Sequence, residues 1–149
     1  NDLRWNENKP IIRSMVLKTL KHLDFENPLE LQPLSHNEDE DFEYFETLFS
    51  ETMSREYELE TIISKKAKNW DASRMAMTDL VILKMALAEM ITFPSIPIKV
   101  TINEYIEISK NYSTPRSKQF VNGILDVLAN ELSSEGIIKK SGRGLIDNK

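Results

Sequence analysis

Cysteine is missing from this 149-residue chain, which excludes disulfides, iron–sulfur clusters, thiolate zinc sites and thiol nucleophiles together. Glycine is scarce at 4 and proline moderate at 6, so long structureless linkers are not expected. Histidine is nearly absent. His22 and His36 have no paired spacing, and His36 stands in the acidic run His36-Asn37-Glu38-Asp39-Glu40-Asp41, where a solvated ring is the ordinary outcome. No HExxH, EF-hand or Glu-x-x-His pattern occurs, and Gly123, Gly136, Gly142 and Gly144 build neither a P-loop nor a dinucleotide fingerprint. No local nucleophile–base motif is present either. The expectation is a non-enzyme with no metal, no cofactor and no catalytic residue. No run approaches the roughly 18 apolar residues that a membrane span needs, and Asn1-Asp2-Leu3-Arg4-Trp5 lack the pattern of a signal peptide. An excess of positive charge is also missing. The 19 Lys and Arg against 24 Asp and Glu leave a net charge of -5, so any nucleic-acid role must rest on a local cationic patch.

What is present is a helical pattern over most of the length. With 40% hydrophobic and 29% charged residues the chain can bury a core, as one domain or as two tightly packed helical halves. It opens on Asn1 rather than Met, so it is read either as a trimmed chain or, by preference, as the C-terminal portion of a longer protein, with residues 1–9 an extension or linker. Residues 10–24 begin with Pro10, suited to a first helical turn, and place Ile12, Met15, Val16, Thr19, Leu20 and Leu23 on what reads as one buried face. Pro28 and Pro33 end that pattern. Carboxylates Glu38 to Asp41 then suit the positive end of a helix, and a solvated helix entry is preferred over a cation site. Residues 40–68 are helical, with a bend permitted at Ser54-Arg55-Glu56. The stripe Phe42, Phe45, Phe49 is read as core rather than as a ligand pocket, because its spacing alone explains it.

Asn69 to Arg74 form a break. Residues 79–91 are apolar nearly all round, as befits a helix at the centre of a bundle. Residues 98–110 put Ile98, Ile102, Tyr105 and Ile106 on one face. Thr114-Pro115 reads as N-cap and first position of a last helix running to about Leu132, with Val121, Leu125, Leu128 and Leu132 inward. Gly123 sits inside that helix at a cost of about 1 kcal/mol relative to Ala. A close neighbouring helix is the expected reason, with Asn122 bonding to Asn103 or Glu104. The domain is thus placed at 10–133, and residues 134–149, Gly-rich and basic, are read as a mobile tail.

One ordered set of segments resembles the NusB family. It comprises Trp70-Asp71 with Arg74, Asp79-Leu80-Val81-Ile82-Leu83-Lys84-Met85-Ala86-Leu87-Ala88-Glu89, and Pro97 with Val100-Thr101-Ile102-Asn103-Glu104. Ile106-Glu107-Ile108-Ser109-Lys110 and Ser117-Lys118-Gln119-Phe120-Val121-Asn122-Gly123-Ile124-Leu125-Asp126 complete it. The resemblance covers about residues 70–130 and is specific in order and spacing, while residues 10–66 fit by pattern alone. It implies an all-α fold, a compact helical bundle of two packed subdomains. It also implies transcription antitermination: pairing with the NusE-type small ribosomal protein, binding of boxA RNA, and joining of the RNA polymerase antitermination complex in the cytoplasm. A related domain serves as the RNA-binding module of an rRNA cytosine methyltransferase, but no methyltransferase signature occurs here.

The resemblance puts Glu89 at an acidic position that contacts the protein partner. Arg116, Lys118 and Phe120 match an RNA-facing turn, and Arg13 and Lys99 are expected to extend its positive patch. The physics agrees, since single-stranded RNA is read by aromatic stacking and held by cations; a core role for Phe120 is the bland alternative. One departure weakens the case. The arginine-rich start of the first helix is here Asn8-Lys9-Pro10-Ile11-Ile12-Arg13-Ser14, and each lost phosphate contact lowers salt-dependent affinity. The second reading is therefore a protein-interaction module of this fold with weak or lost RNA binding. A homodimer, and a structural domain serving an upstream segment, also stay open.

Overall fold

In a computed structural model of the chain the described residues are 5–23, 35, 37–66 and 75–146, with side chains from Lys9 onward. They form six helices, α1 (Trp5–Lys21), α2 (Glu38–Ser54), α3 (Glu56–Lys66), α4 (Met77–Thr92), α5 (Ile98–Tyr112) and α6 (Ser117–Ser134), followed by a short 3-10 turn (Gly142–Leu145). No strand occurs among the described residues, as the all-α expectation requires. Asn69 to Arg74, His36, Pro28 and Pro33 lie outside the described residues. The chain divides into two compact units, Asn1–Phe42 and Glu43–Lys149.

In the N-terminal unit, α1 starts five residues earlier than Pro10 suggests, at Trp5, and carries Pro10 inside it. The apolar face expected to be buried is largely exposed: Val16, Leu20 and Leu23 are each more than half accessible, while Thr19 is buried and Met15 half-buried. Periodicity reports which residues share a face, not whether anything covers that face. The start of α2 follows the electrostatic expectation. Glu38, Asp39, Glu40 and Asp41 occupy its first turn, and the Glu40 amide donates to Asn37 Oδ1 at 3.3 Å.

The C-terminal unit is built around α4, whose residues Ile82, Leu83, Ala86, Leu87, Ala88 and Met90 are at most 4% exposed. It packs against α3, α5 and α6, and α5 packs along α6. The anticipated inward residues Ile102, Tyr105 and Ile106 of α5 and Val121, Leu125, Leu128 and Leu132 of α6 are all buried. Short connections make α5 antiparallel to both of its neighbours. The bend allowed at Ser54-Arg55-Glu56 is realised as a break at Arg55, whose guanidinium pairs with Glu51 on one side and Glu58 on the other. Lys84 of α4 is only 6% exposed and is tied to Glu56 at 3.0 Å and Glu60 at 2.7 Å on α3. Those carboxylates hold its ammonium above the usual lysine range against the opposing effect of burial.

Three further expectations change. Phe42, Phe45 and Phe49 are not core; each is about three-fifths exposed, and α2 turns Tyr44 and Leu48 inward instead. Gly123 has no close neighbour, since a Cβ built on it meets nothing within 4 Å, and Asn122 bonds along its own helix to Asp126 at 3.2 Å. The third concerns the basic tail, whose described residues, to Ile146, dock against the turn after α4. Ile138 is 5% exposed, the Ser141 amide donates to the Pro94 carbonyl at 2.9 Å, and Lys140 Nζ donates to the Phe93 carbonyl at 2.9 Å. Phe93 ends α4, so this lysine satisfies a carbonyl at the negative end of that helix.

Candidate nucleic-acid interface

The turn between α5 and α6 is where cations and an aromatic ring meet. Thr114-Pro115 stands two residues before the helix it was expected to open: α6 starts at Ser117, with Arg116 in the cap position and the Ser117 amide bonded to the Thr114 carbonyl at 2.9 Å. Arg116 and Lys118 are exposed, and among the described residues neither has a carboxylate within ion-pair distance. Phe120, one turn on, is half-buried and packs its inner edge against the core. It is neither a free ring nor an interred one.

Beneath this turn lies a buried polar group that the sequence pattern did not single out. Asp79, in the first turn of α4, is 5% exposed. Its Oδ1 accepts from the Ser113 hydroxyl at 2.5 Å and its Oδ2 from the Ser117 hydroxyl at 2.8 Å. Ser117 Oγ, 1% exposed as a residue, in turn receives the Thr114 amide at 3.2 Å and lies 2.8 Å from the Thr114 hydroxyl. The available signal was an acidic residue in the first turn of a largely apolar helix, together with the hydroxyl-rich run Ser113-Thr114-Pro115-Arg116-Ser117.

Lys99 does not join this turn. Lys99 is the second residue of α5, and the axis from there to Tyr112 is roughly 20 Å long. It stands at the opposite end of the bundle from Arg116 and Lys118, on the side where the tail docks. Arg13 belongs to the N-terminal unit, where α1 supplies more positive charge than its first turns suggested. Lys9, Arg13, Lys18 and Lys21 line one shallow groove with Ser14 and Leu17. Lys18 and Lys21, in the last turn of α1, were not singled out by the sequence pattern.

Glu89 is inside. It is 4% exposed, and one of its carboxylate oxygens accepts from Tyr105 at 3.0 Å and from Tyr44. The expected surface carboxylate is thus a core group that ties α2, α4 and α5 together. Burial, and then the Glu89 carboxylate, push both tyrosine hydroxyls well above their ordinary range. Burial pushes the Lys140 ammonium down, with nearby Glu89 working against that effect.

The turn thus brings together, at a helix start, two cations with no ion pair among the described residues and a half-buried ring. No described helix is long and apolar enough to cross a membrane. Comparison with known proteins gives a consistent result. Residues 10–130 match the model of the NusB family. The chain is 51% identical over 90 residues to the transcription antitermination protein NusB of Chloroherpeton thalassium, covering 60% of this chain and 43% of that protein. To the protein of the same description from Salinibacter ruber it is 45% identical over 104 residues, covering 70% and 65%. The corresponding figures for Natranaerobius thermophilus are 39% over 92 residues, 62% and 66%. The matched segments therefore span less than two thirds of these relatives. A solved structure of T. maritima NusB superposes with a TM-score of 0.58 at 30% identity, covering 80% of this chain and 89% of that one. With the family model matched across both units and the all-helical architecture shared with a solved member, this chain belongs to the NusB family.

Proposed function

We propose that this protein is a non-enzymatic transcription antitermination factor that binds boxA-type RNA together with a NusE-type small ribosomal protein. Its place is the cytoplasmic RNA polymerase antitermination complex. The observation that carries the RNA half is the α5–α6 turn, where Arg116 and Lys118 project unpaired beside the half-buried Phe120. Cations without an ion pair among the described residues bind phosphates without first giving up an internal partner, and the half-buried Phe120 brings an aromatic side chain to the same turn. The basic groove of α1 supplies further phosphate contacts from the N-terminal unit. For the protein half, Glu89 acts from beneath the surface, by fixing the α2–α4–α5 corner rather than by facing the partner.

The test is RNA titration across a salt series with the ribosomal partner present. Binding should weaken linearly in log–log form, and Arg116→Ala or Lys118→Ala should each reduce the slope by about 0.7, the value for one phosphate contact on a single strand. A wild-type chain that holds the ribosomal protein but no RNA at low salt would favour the protein-only reading, which the net charge of -5 and the separation of Lys99 from Arg116 also support.

A further inference from the structure

We propose that Asp79 is a positioning residue for RNA binding, a buried carboxylate that sets the shape of the α5–α6 turn and so aims Arg116 and Lys118. The proposal rests on the RNA-binding reading above and assigns a part of it to a side chain that never touches RNA. Hydrogen counting shows why the acid is needed. An ionised carboxylate only accepts, so it draws the single hydroxyl hydrogen of Ser113 and that of Ser117 inward. Ser117 Oγ is left with acceptor capacity alone, and Thr114 fills it with its amide and its hydroxyl. Ser113 Oγ and Ser117 Oγ also lie 2.9 Å apart, so the three hydroxyls form one connected set around the carboxylate. Ser113 closes α5, Ser117 opens α6, and Arg116 lies between them, so the guanidinium inherits its direction from that arrangement.

Asp79 lies in the first turn of α4 and reaches the first residue of α6 through the Ser117 hydroxyl, so one buried carboxylate ties the two helix starts together beneath the cations. Replacement by Asn keeps the shape but swaps one acceptor for a donor, so at least one hydroxyl bonded to the carboxylate must turn round and the cluster rearranges.

The two roles open to Asp79 predict opposite signs. If it were only a nearby negative charge, Asp79→Asn would strengthen RNA binding by removing repulsion. As a positioning residue, its loss weakens binding. The full chain and Asp79→Asn are titrated with a boxA-type single-stranded RNA at low salt, with the NusE-type protein present. We expect about a tenfold loss of affinity, within the range that coupled neighbours show. Helix content and ribosomal-protein binding should stay unchanged, and amide hydrogen exchange should quicken at residues 113–118. On an Arg116→Ala, Lys118→Ala background the same substitution should cost less than about twofold, because the groups it positions are gone. Ser113→Ala keeps the carboxylate and removes one arm; it should give a smaller loss with the same non-additivity, and it carries the test if Asp79→Asn does not fold. Asp79→Asn binding RNA as tightly as wild type while Arg116→Ala fails would overturn the proposal and leave the RNA reading intact. A wild-type chain without RNA affinity removes both, and its own titration curve tells that case apart.

Discussion

Two tyrosine hydroxyls, from Tyr44 on α2 and Tyr105 on α5, meet on a single oxygen of the Glu89 carboxylate. A buried acceptor of this kind is costly to leave short of donors. Tyr105→Phe should cost about 1–3 kcal/mol in urea unfolding although it removes only one oxygen atom. Both tyrosines titrate above their ordinary value of 10.0 in the folded chain, so the native state keeps protons that the unfolded state releases. Their contribution is complete below pH 10 and is lost as pH rises from there towards the folded values. Each tyrosine makes stability fall by about 1.4 kcal/mol per pH unit in that range. Unfolding midpoints measured from pH 9 to 11 should fall less steeply for Tyr105→Phe than for wild type; equal slopes would remove this account. The burial also changes how Glu89 is to be tested. Charge reversal there would break the core before it reported on any partner, so Glu89→Gln is the informative variant.

At the scale of elements, the two instructive glycines behave in opposite ways. Gly123 lies inside α6 with open space where a Cβ would go, so Gly123→Ala should stabilise the chain by about 0.5–1 kcal/mol, read as a raised melting temperature. Destabilisation would mean that something in solution approaches this helix closely after all. Gly144 is the reverse case, because its Cβ would stand 2.1 Å from the Pro94 carbonyl oxygen. Gly144→Ala should lift the tail off the α4–α5 turn, exposing the backbone beyond Ile138 to protease while α4, α5 and α6 stay folded. These three helices were legible in the sequence because Ile102, Leu125 and their neighbours recur at helical spacing and every such face is covered. The stripe Phe42, Phe45, Phe49 recurs just as regularly and is exposed, since spacing carries no information about neighbours. The docked tail was invisible for a related reason. Its anchors are backbone carbonyls of Phe93 and Pro94, which leave no mark in a side-chain pattern.

For the molecule as a whole, α5 acts as a spacer between two ends. One end carries Arg116, Lys118 and the Asp79 cluster; the other carries Lys99 beside the docked tail. Sites this far apart with no shared partner combine additively. The losses of RNA affinity from Lys99→Ala and Arg116→Ala should therefore sum to within about 0.5 kcal/mol, whereas Arg116→Ala and Lys118→Ala should couple. Strong coupling between Lys99 and Arg116 would draw the two ends into one site.

Residue order alone determined the helical class, the three helices of the C-terminal core, the acidic entry to α2 and the family, because hydrophobic spacing and helix-end charge are local properties. Only the tertiary structure decided that Glu89 is buried, that Lys99 stands apart from Arg116, and that Asp79 lies beneath the cationic turn. Burial and proximity depend on how distant segments pack. Asp79 and Ser117 are separated by 38 residues and joined by one hydrogen bond, which no reading of either neighbourhood contains.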